Sequence, residues 1–289
     1  MTHLVSSIVI GLLVVYAGLL LMLWRFQDRI LFQPPVGVAS SPVEARRISY
    51  RAADGVELFA YLVGDCKQDS TLVIAFHGNA EIARWSVPWA ATLVRQSSVC
   101  VLLPEYRGYD GLSGVPTYQT SAHDARAALR YVHDSLGVSS DNVVLFGHSL
   151  GSAIAAELAA AEQPRALVLQ APFSSARAMA RRMAIPGLSA FFGVISRIHF
   201  DTIERVRALE LPVWVAHGDR DMVVPVRMGR EVFESAAQRG ELLIIPGAGH
   251  NNVAEIGGRA YWDWFARALR APKTTSASRD EGARIRSAL

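Results

Sequence analysis

Residues 143–162 constrain this chain more than any other stretch. The apolar run Val143-Val144-Leu145-Phe146 leads straight into Gly147-His148-Ser149-Leu150-Gly151, and a small-residue run to Glu162 leads out. A short apolar run of this kind reads as a buried strand, and the Ala-rich run as a helix. G-x-S-x-G between a strand and a helix is a strained turn that lifts the serine Oγ above the sheet edge. The glycines two residues on either side of Ser149 leave room for strand and helix to pack closely. The helix N-terminus then lies beside Ser149, where its dipole favours developing negative charge. Leu150 becomes a candidate backbone donor to an oxyanion. The competing reading is an ordinary turn with a serine N-cap. It weakens as partners for Ser149 accumulate below.

The same alternation runs through most of the chain. Residues 71–76, 99–103, 142–146, 166–169, 213–216 and 242–245 are short apolar runs. Helical stretches fall near 82–96, 121–136, 150–162, 226–238 and 253–269. This pattern predicts an α/β fold, a mostly parallel sheet with helices on both faces. A hairpin is expected ahead of it, with strands at 46–51 and 56–63 flanking Asp54-Gly55. With 51% hydrophobic residues in 289, the chain can bury one sizeable core, placed at residues 45–270.

Residues 4–24 carry no charged side chain. As a helix they span about 32 Å, against a hydrocarbon core of about 30 Å. Trp24 and Arg25 close the segment as an interfacial ring and a cation. Residues 1–25 are therefore expected to be a single transmembrane anchor. A cleaved signal peptide fits less well, because no Lys or Arg precedes the apolar stretch and no A-x-A site follows. A buried soluble helix would show a charged stripe, which is missing. Arg25, Arg29, Arg46, Arg47 and Arg51 all follow the segment, so the positive-inside rule favours a cytoplasmic catalytic domain. Residues 26–44, with Pro34, Pro35, Gly37 and Pro42, read as a linker. Residues 271–289 lack aromatics and read as a disordered tail.

The formal charge of +3 is mild, and no dense Lys/Arg stripe interleaved with aromatics appears, which argues against nucleic acid. Of the two cysteines, Cys100 sits in an apolar run as a core residue and Cys66 in a polar stretch. A disulfide between them is the minor alternative. No Cys/His cluster suggests a metal.

A serine nucleophile needs a base and an acid. Among histidines after Ser149, His250 lies in the loop Pro246-Gly-Ala-Gly-His250, after one strand and before a helix, at the sheet edge where Ser149 emerges. His217 ends a strand and is expected to structure its turn, and His199 lies in an insertion. The loop His217-Gly218-Asp219-Arg220-Asp221 offers two acids that spacing alone does not separate. An early loop, His77-Gly78-Asn79-Ala80, follows the strand at 71–76. The backbone N–H of Asn79 is the candidate second oxyanion donor, with His77 structural.

These motifs occur in one order: His77-Gly78-Asn79-Ala80, Tyr106-Arg107-Gly108-Tyr109, Gly147-His148-Ser149-Leu150-Gly151, His217-Gly218-x-x-Asp221 and Gly249-His250. In this the chain resembles the membrane-anchored α/β-hydrolase domain-containing proteins, a branch grouped with serine aminopeptidase-like domains. The resemblance spans residues 45–270. It implies an α/β-hydrolase fold with a small cap and selects Asp221 over Asp219 through the family's G-x-x-D pattern. It implies catalytic Ser149, Asp221 and His250, with oxyanion donors Asn79 and Leu150, acting on an acyl ester or thioester, including lipid-like substrates. A peptidase with the same triad is the alternative, its acidic clamp sought among Glu81, Glu105 and Asp110. A non-catalytic scaffold is the third reading. No metal or organic cofactor is implied, because the triad supplies both nucleophile and proton transfer. The chain departs from the family at Glu105, where Asp is usual, and at Asp110, where Gly is usual. Residues 173–200 break the βαβ rhythm at the cap position. They carry Arg177, Arg181, Arg182 and Arg197 with many aromatics and aliphatics and no acid. A basic, apolar cap facing anionic lipid is expected there, against the plainer reading of an amphipathic helix packed on the sheet.

Overall fold

The computed structural model describes residues 2–36, 44–67, 69–182 and 196–272. Its centre is an eight-stranded sheet in the order β1-β2-β4-β3-β5-β6-β7-β8. The strands are β1 (Arg46–Arg51), β2 (Glu57–Val63), β3 (Leu72–Phe76), β4 (Cys100–Pro104), β5 (Val143–His148), β6 (Ala166–Gln170), β7 (Val213–Gly218) and β8 (Arg239–Ile245). The β1–β2 and β2–β4 pairings are antiparallel and the rest parallel. Every residue of β3, β4, β5 and β6 is buried, which is why these strands are apolar without alternation.

Successive residues on each strand feed opposite faces. Leu72, Ile74 and Phe76 join Leu145 in one core, packed by α3 (Tyr118–Asp134), α4 (Leu150–Glu162) and α7 (Val226–Ser235). Val73, Ala75, Val144 and Phe146 join the other, packed by α2 (Val87–Ser97) and α8 (Val253–Leu269). The α/β expectation therefore holds, with helices on both faces. Two boundaries differ from expectation. Helix α3 begins three residues earlier than the periodicity places it, because Thr117 and Thr120 form a reciprocal capping box. Strand β8 begins at Arg239, since Ala236 is already extended and ends α7 early. Two shorter α-helices are α5 (Ala176–Arg182) and α6 (Thr202–Arg207). Residues 183–195 of the expected cap and residues 273–289 of the expected tail lie outside the described residues.

Helix α1 runs from Thr2 to Leu31, one helix long and apolar enough to cross a membrane. It continues six residues past the expected end at residue 25, into the stretch read as linker. Residues 26–31 contain neither Gly nor Pro, so nothing stops the helix before Pro34 and Pro35. Its first part exposes Leu4, Ile8, Leu12 and Val15, whereas Gln27 and the following Phe32 are buried against the domain.

The cysteine reading is corrected: Cys66 and Cys100 form a disulfide, with Cα atoms 5.4 Å apart. The reason is tertiary. Antiparallel pairing of Val63 with Val101 sets the end of β2 beside the start of β4, closing a sequence separation of 34 residues.

Candidate active site

Ser149 sits at the turn between β5 and α4 with φ 53° and ψ −114°, a left-side conformation that L residues avoid. Neighbouring glycines make that turn feasible. A Cβ on Gly147 would lie 2.2 Å from the Gly151 carbonyl oxygen, and one on Gly151 would lie 2.1 Å from that of Phe76. Any side chain at either place would drive β5, α4 and β3 apart. The turn is pinned further by the Ser149 N–H donating to Gln170 O and by Ser152 Oγ donating to Gly147 O.

The loops after β7 and β8 meet over this turn. His250 Nε2 lies 2.9 Å from Ser149 Oγ, and His250 Nδ1 lies 2.7 Å from Asp221 Oδ2. Asp221 Oδ1 accepts the N–H groups of Val223 and Val224, both at 2.8 Å. Burial pushes the Asp221 carboxyl up, but hydrogen bonds from His217, His250 and Val224 outweigh it and hold it well below the usual carboxylate range. These bonds favour the ionised form of Asp221. Asp219 serves a different purpose. Its Oδ1 accepts the Gly247 N–H at 2.7 Å, and the Arg220 N–H donates to Ala248 O. These bonds stitch the loop after β7 to the loop after β8. Gly218 permits the close approach, since a Cβ there would lie 2.2 Å from Ala248 O. His217 Nε2 contacts Val224 O at 2.9 Å and Asp221 Oδ2 at 3.2 Å, bracing the turn as expected.

On the other side, Leu150 opens α4, so its N–H belongs to the helix N-terminus beside Ser149. The loop carrying Asn79 is held from behind. His77 is buried and meets Glu105 Oε1 at 2.9 Å, while Glu105 Oε2 accepts the Ala83 N–H. Tyr106 Oη donates to the His77 carbonyl. The departure at Glu105 thereby has a use: its carboxylate bonds His77, Ala83 and its neighbour Tyr106 together. The departure at Asp110 is taken up by a fork of bonds from Arg84. Arg107 is clamped between Asp124 and Asp54.

One pair went unread in the sequence, although its histidine is the variable residue of G-x-S-x-G. His148 Nε2 lies 3.1 Å from the His250 carbonyl oxygen, and His148 Nδ1 lies 3.3 Å from Glu81, which also accepts the Gly78 N–H at 2.7 Å. The pair links the His250 loop to the Asn79 loop. Burial raises the Glu81 carboxyl, but His148 and the Gly78 N–H bring it down to about 2. Burial lowers His148, and Glu81 outweighs this to raise it. Glu81 therefore contributes stability that is full above its ordinary 4.5 and lost as pH falls toward about 2. His148 contributes below its ordinary 6.5, and that is lost as pH rises through its raised value. The difference in thermal midpoint between wild type and Glu81→Gln is expected to be widest between pH 4.5 and 6.5. Melting curves across pH would show a flat difference if the pair were uncoupled.

A cleft of about 420 Å³ opens against His148, lined by Glu81, Trp85, Trp89, Phe146 and Glu255 among others. Trp89 stacks on Phe146 at 4.6 Å, giving this cleft an apolar wall beside the His250 loop. Of the four cap arginines, Arg197 lies over the Trp24 ring and pairs with Asp28 of α1. Among the described residues no group of three or more His, Cys, Asp or Glu could hold a metal ion.

Residues 67–202 match the family described as serine aminopeptidase, S33. The chain is 32% identical over 260 residues to an uncharacterized protein of Mycobacterium tuberculosis, covering 88% of this chain and 91% of the relative. It is 27% identical over 220 residues to alpha/beta hydrolase domain-containing protein 17B of Homo sapiens, covering 72% and 74%. Among solved structures, the Pyrococcus furiosus esterase Pf2001 superposes with a TM-score of 0.65 at 17% identity, over 84% of this chain and 99% of the other.

Proposed function

The chain belongs to the α/β-hydrolase superfamily, and from that premise we propose that it is a membrane-tethered serine hydrolase that cleaves acyl esters or thioesters through Ser149, His250 and Asp221. One observation carries this reading: the relay from Ser149 Oγ through His250 to Asp221, with contacts of 2.9 and 2.7 Å. His250 takes the Ser149 proton as Oγ attacks the acyl carbon. Asp221 holds the imidazole orientation and stabilises its charged form. The backbone N–H groups of Asn79 and Leu150 receive the oxyanion. The proton then passes to the leaving group, and water clears the acyl-enzyme by the same route.

The peptidase alternative needs an acidic clamp for a charged chain end. The three acids considered for it are otherwise engaged: Glu81 with His148 and Gly78, Glu105 with His77 and Ala83, Asp110 with Arg84. This favours ester over peptide chemistry. The test compares p-nitrophenyl esters of rising acyl length with aminoacyl anilides, with Ser149→Ala as blank. Ester turnover well above anilide turnover is expected; faster Ser149-dependent release from anilides would reverse the assignment.

Two features oppose each other on orientation. The arginines after the apolar stretch 4–24 favour a cytoplasmic domain, yet only Arg25 and Arg29 lie close to it, with Asp28 beside them. The Cys66–Cys100 bond favours the oxidising side, since cytosolic thiols are kept reduced. We assign the catalytic domain to the oxidising side. Protease added to intact cells should digest it, and maleimide should react with Cys66 and Cys100 only after reduction. A protected domain with two reactive thiols would restore the cytoplasmic orientation.

A further inference from the structure

The C-terminal end of the membrane helix is hydrogen-bonded into the loop assigned to the oxyanion. Asn79 Nδ2 donates to the Leu31 carbonyl at 2.5 Å, and Asn79 Oδ1 accepts the Gln33 N–H at 2.9 Å. Leu31 ends α1, so its carbonyl is one of those a helix leaves without an intrahelical donor. The Asn79 side chain caps it from across the domain. Phe32, between the two bonded residues, is buried in the main core and fixes the pair in place. A turn earlier, Gln27 is buried and accepts from Ser196 Oγ and the Arg197 N–H. The helix end is thus seated at two points, one on the Asn79 loop and one at the close of the cap region.

The loop needs such support. Ala80 has φ 55°, a left-handed conformation without glycine, and its N–H turns back to Asn79 Oδ1 at 3.0 Å. The same oxygen accepts Tyr109 Oη at 2.9 Å. The Asn79 carboxamide therefore gathers the helix end, the Tyr109 ring and its own loop at one point, on the same residue as the proposed oxyanion donor.

We propose that the end of the membrane anchor is a positioning element of the active site: the Leu31 carbonyl and Gln33 N–H hold the Asn79 carboxamide so that the Asn79 backbone N–H is aimed at the oxyanion. This rests on the serine-hydrolase reading above. It makes the anchor part of the catalytic geometry as well as a tether.

The test uses the full chain in lipid nanodiscs with a soluble short-chain p-nitrophenyl ester, so that substrate delivery by the membrane is not rate-limiting. Asn79→Ala should lower kcat about 10–100-fold with KM little changed, the signature of a lost transition-state contact. Gln33→Pro, which removes the backbone donor from the anchor side, should lower kcat in the same way by about tenfold. If both act through one contact, the double variant should be no slower than Asn79→Ala alone. Phe32→Ala, which unseats the helix end by another route, stands in should Gln33→Pro fail to fold, and the same loss of kcat is expected. Wild-type kcat in a folded Gln33→Pro or Phe32→Ala protein, or losses that simply add, would overturn the proposal. Turnover that persists in Ser149→Ala in the same discs would instead overturn the hydrolase reading beneath it.

Discussion

Ser149→Ala is expected to lose fluorophosphonate labelling entirely and to lower kcat by about 10⁴–10⁶-fold, with His250→Ala nearly as slow. The size follows from the geometry. In the proposed mechanism Ser149 Oγ forms the covalent bond, and His250 Nε2, 2.9 Å away, takes its proton. Removing either leaves only what substrate binding and the oxyanion donors supply, so the double variant should be little worse than either single one. The fold should tolerate both changes. Ser149 holds a strained backbone angle that its neighbours impose, and its side chain fills little of the core. Labelling that survives in Ser149→Ala would move the nucleophile elsewhere. A His250→Ala protein with normal turnover would remove the base.

The second large effect separates two carboxylates two residues apart. Asp221→Asn should lower kcat by about 10⁴-fold, because the amide offers an N–H where His250 Nδ1 must donate, favouring the wrong tautomer. Asp219→Asn should change kcat only a few-fold. Its Oδ1 accepts the Gly247 N–H, and an amide oxygen accepts that bond as well. The acid limb of the pH–rate profile should not move with Asp221, whose carboxyl lies well below the usual range and stays ionised through the working pH. Steady-state kinetics on both variants decide the matter. A dominant loss in Asp219→Asn would exchange the roles.

Much of this arrangement is legible in the residues alone. Strand and helix periods are local, so β5, α4 and α8 are readable from their own residues. The elbow is readable because its glycines are demanded by neighbours two residues away. His250 is reachable by chain order and loop position. Asp221 is not separable from Asp219 by spacing. The two differ in what lies across from them: His250 for one and Gly247 for the other, both brought from the β8 loop.

The turn at Ser149, the α/β alternation and the apolar stretch at the N-terminus are local properties, because each rests on contacts within a few residues or on a quantity summed along one segment. The remaining features arise from packing between distant segments. The Cys66–Cys100 bond depends on β2 lying antiparallel to β4. The brace of Glu81 and His148 depends on two loops meeting at one sheet edge. The seating of Leu31 and Gln33 on Asn79 joins residues 48 and 46 positions apart through side-chain atoms whose alternative, in the sequence, was a solvated linker. No local pattern encodes which distant carbonyl a carboxamide will cap. That is set when the sheet, the elbow and helix α1 are packed against one another.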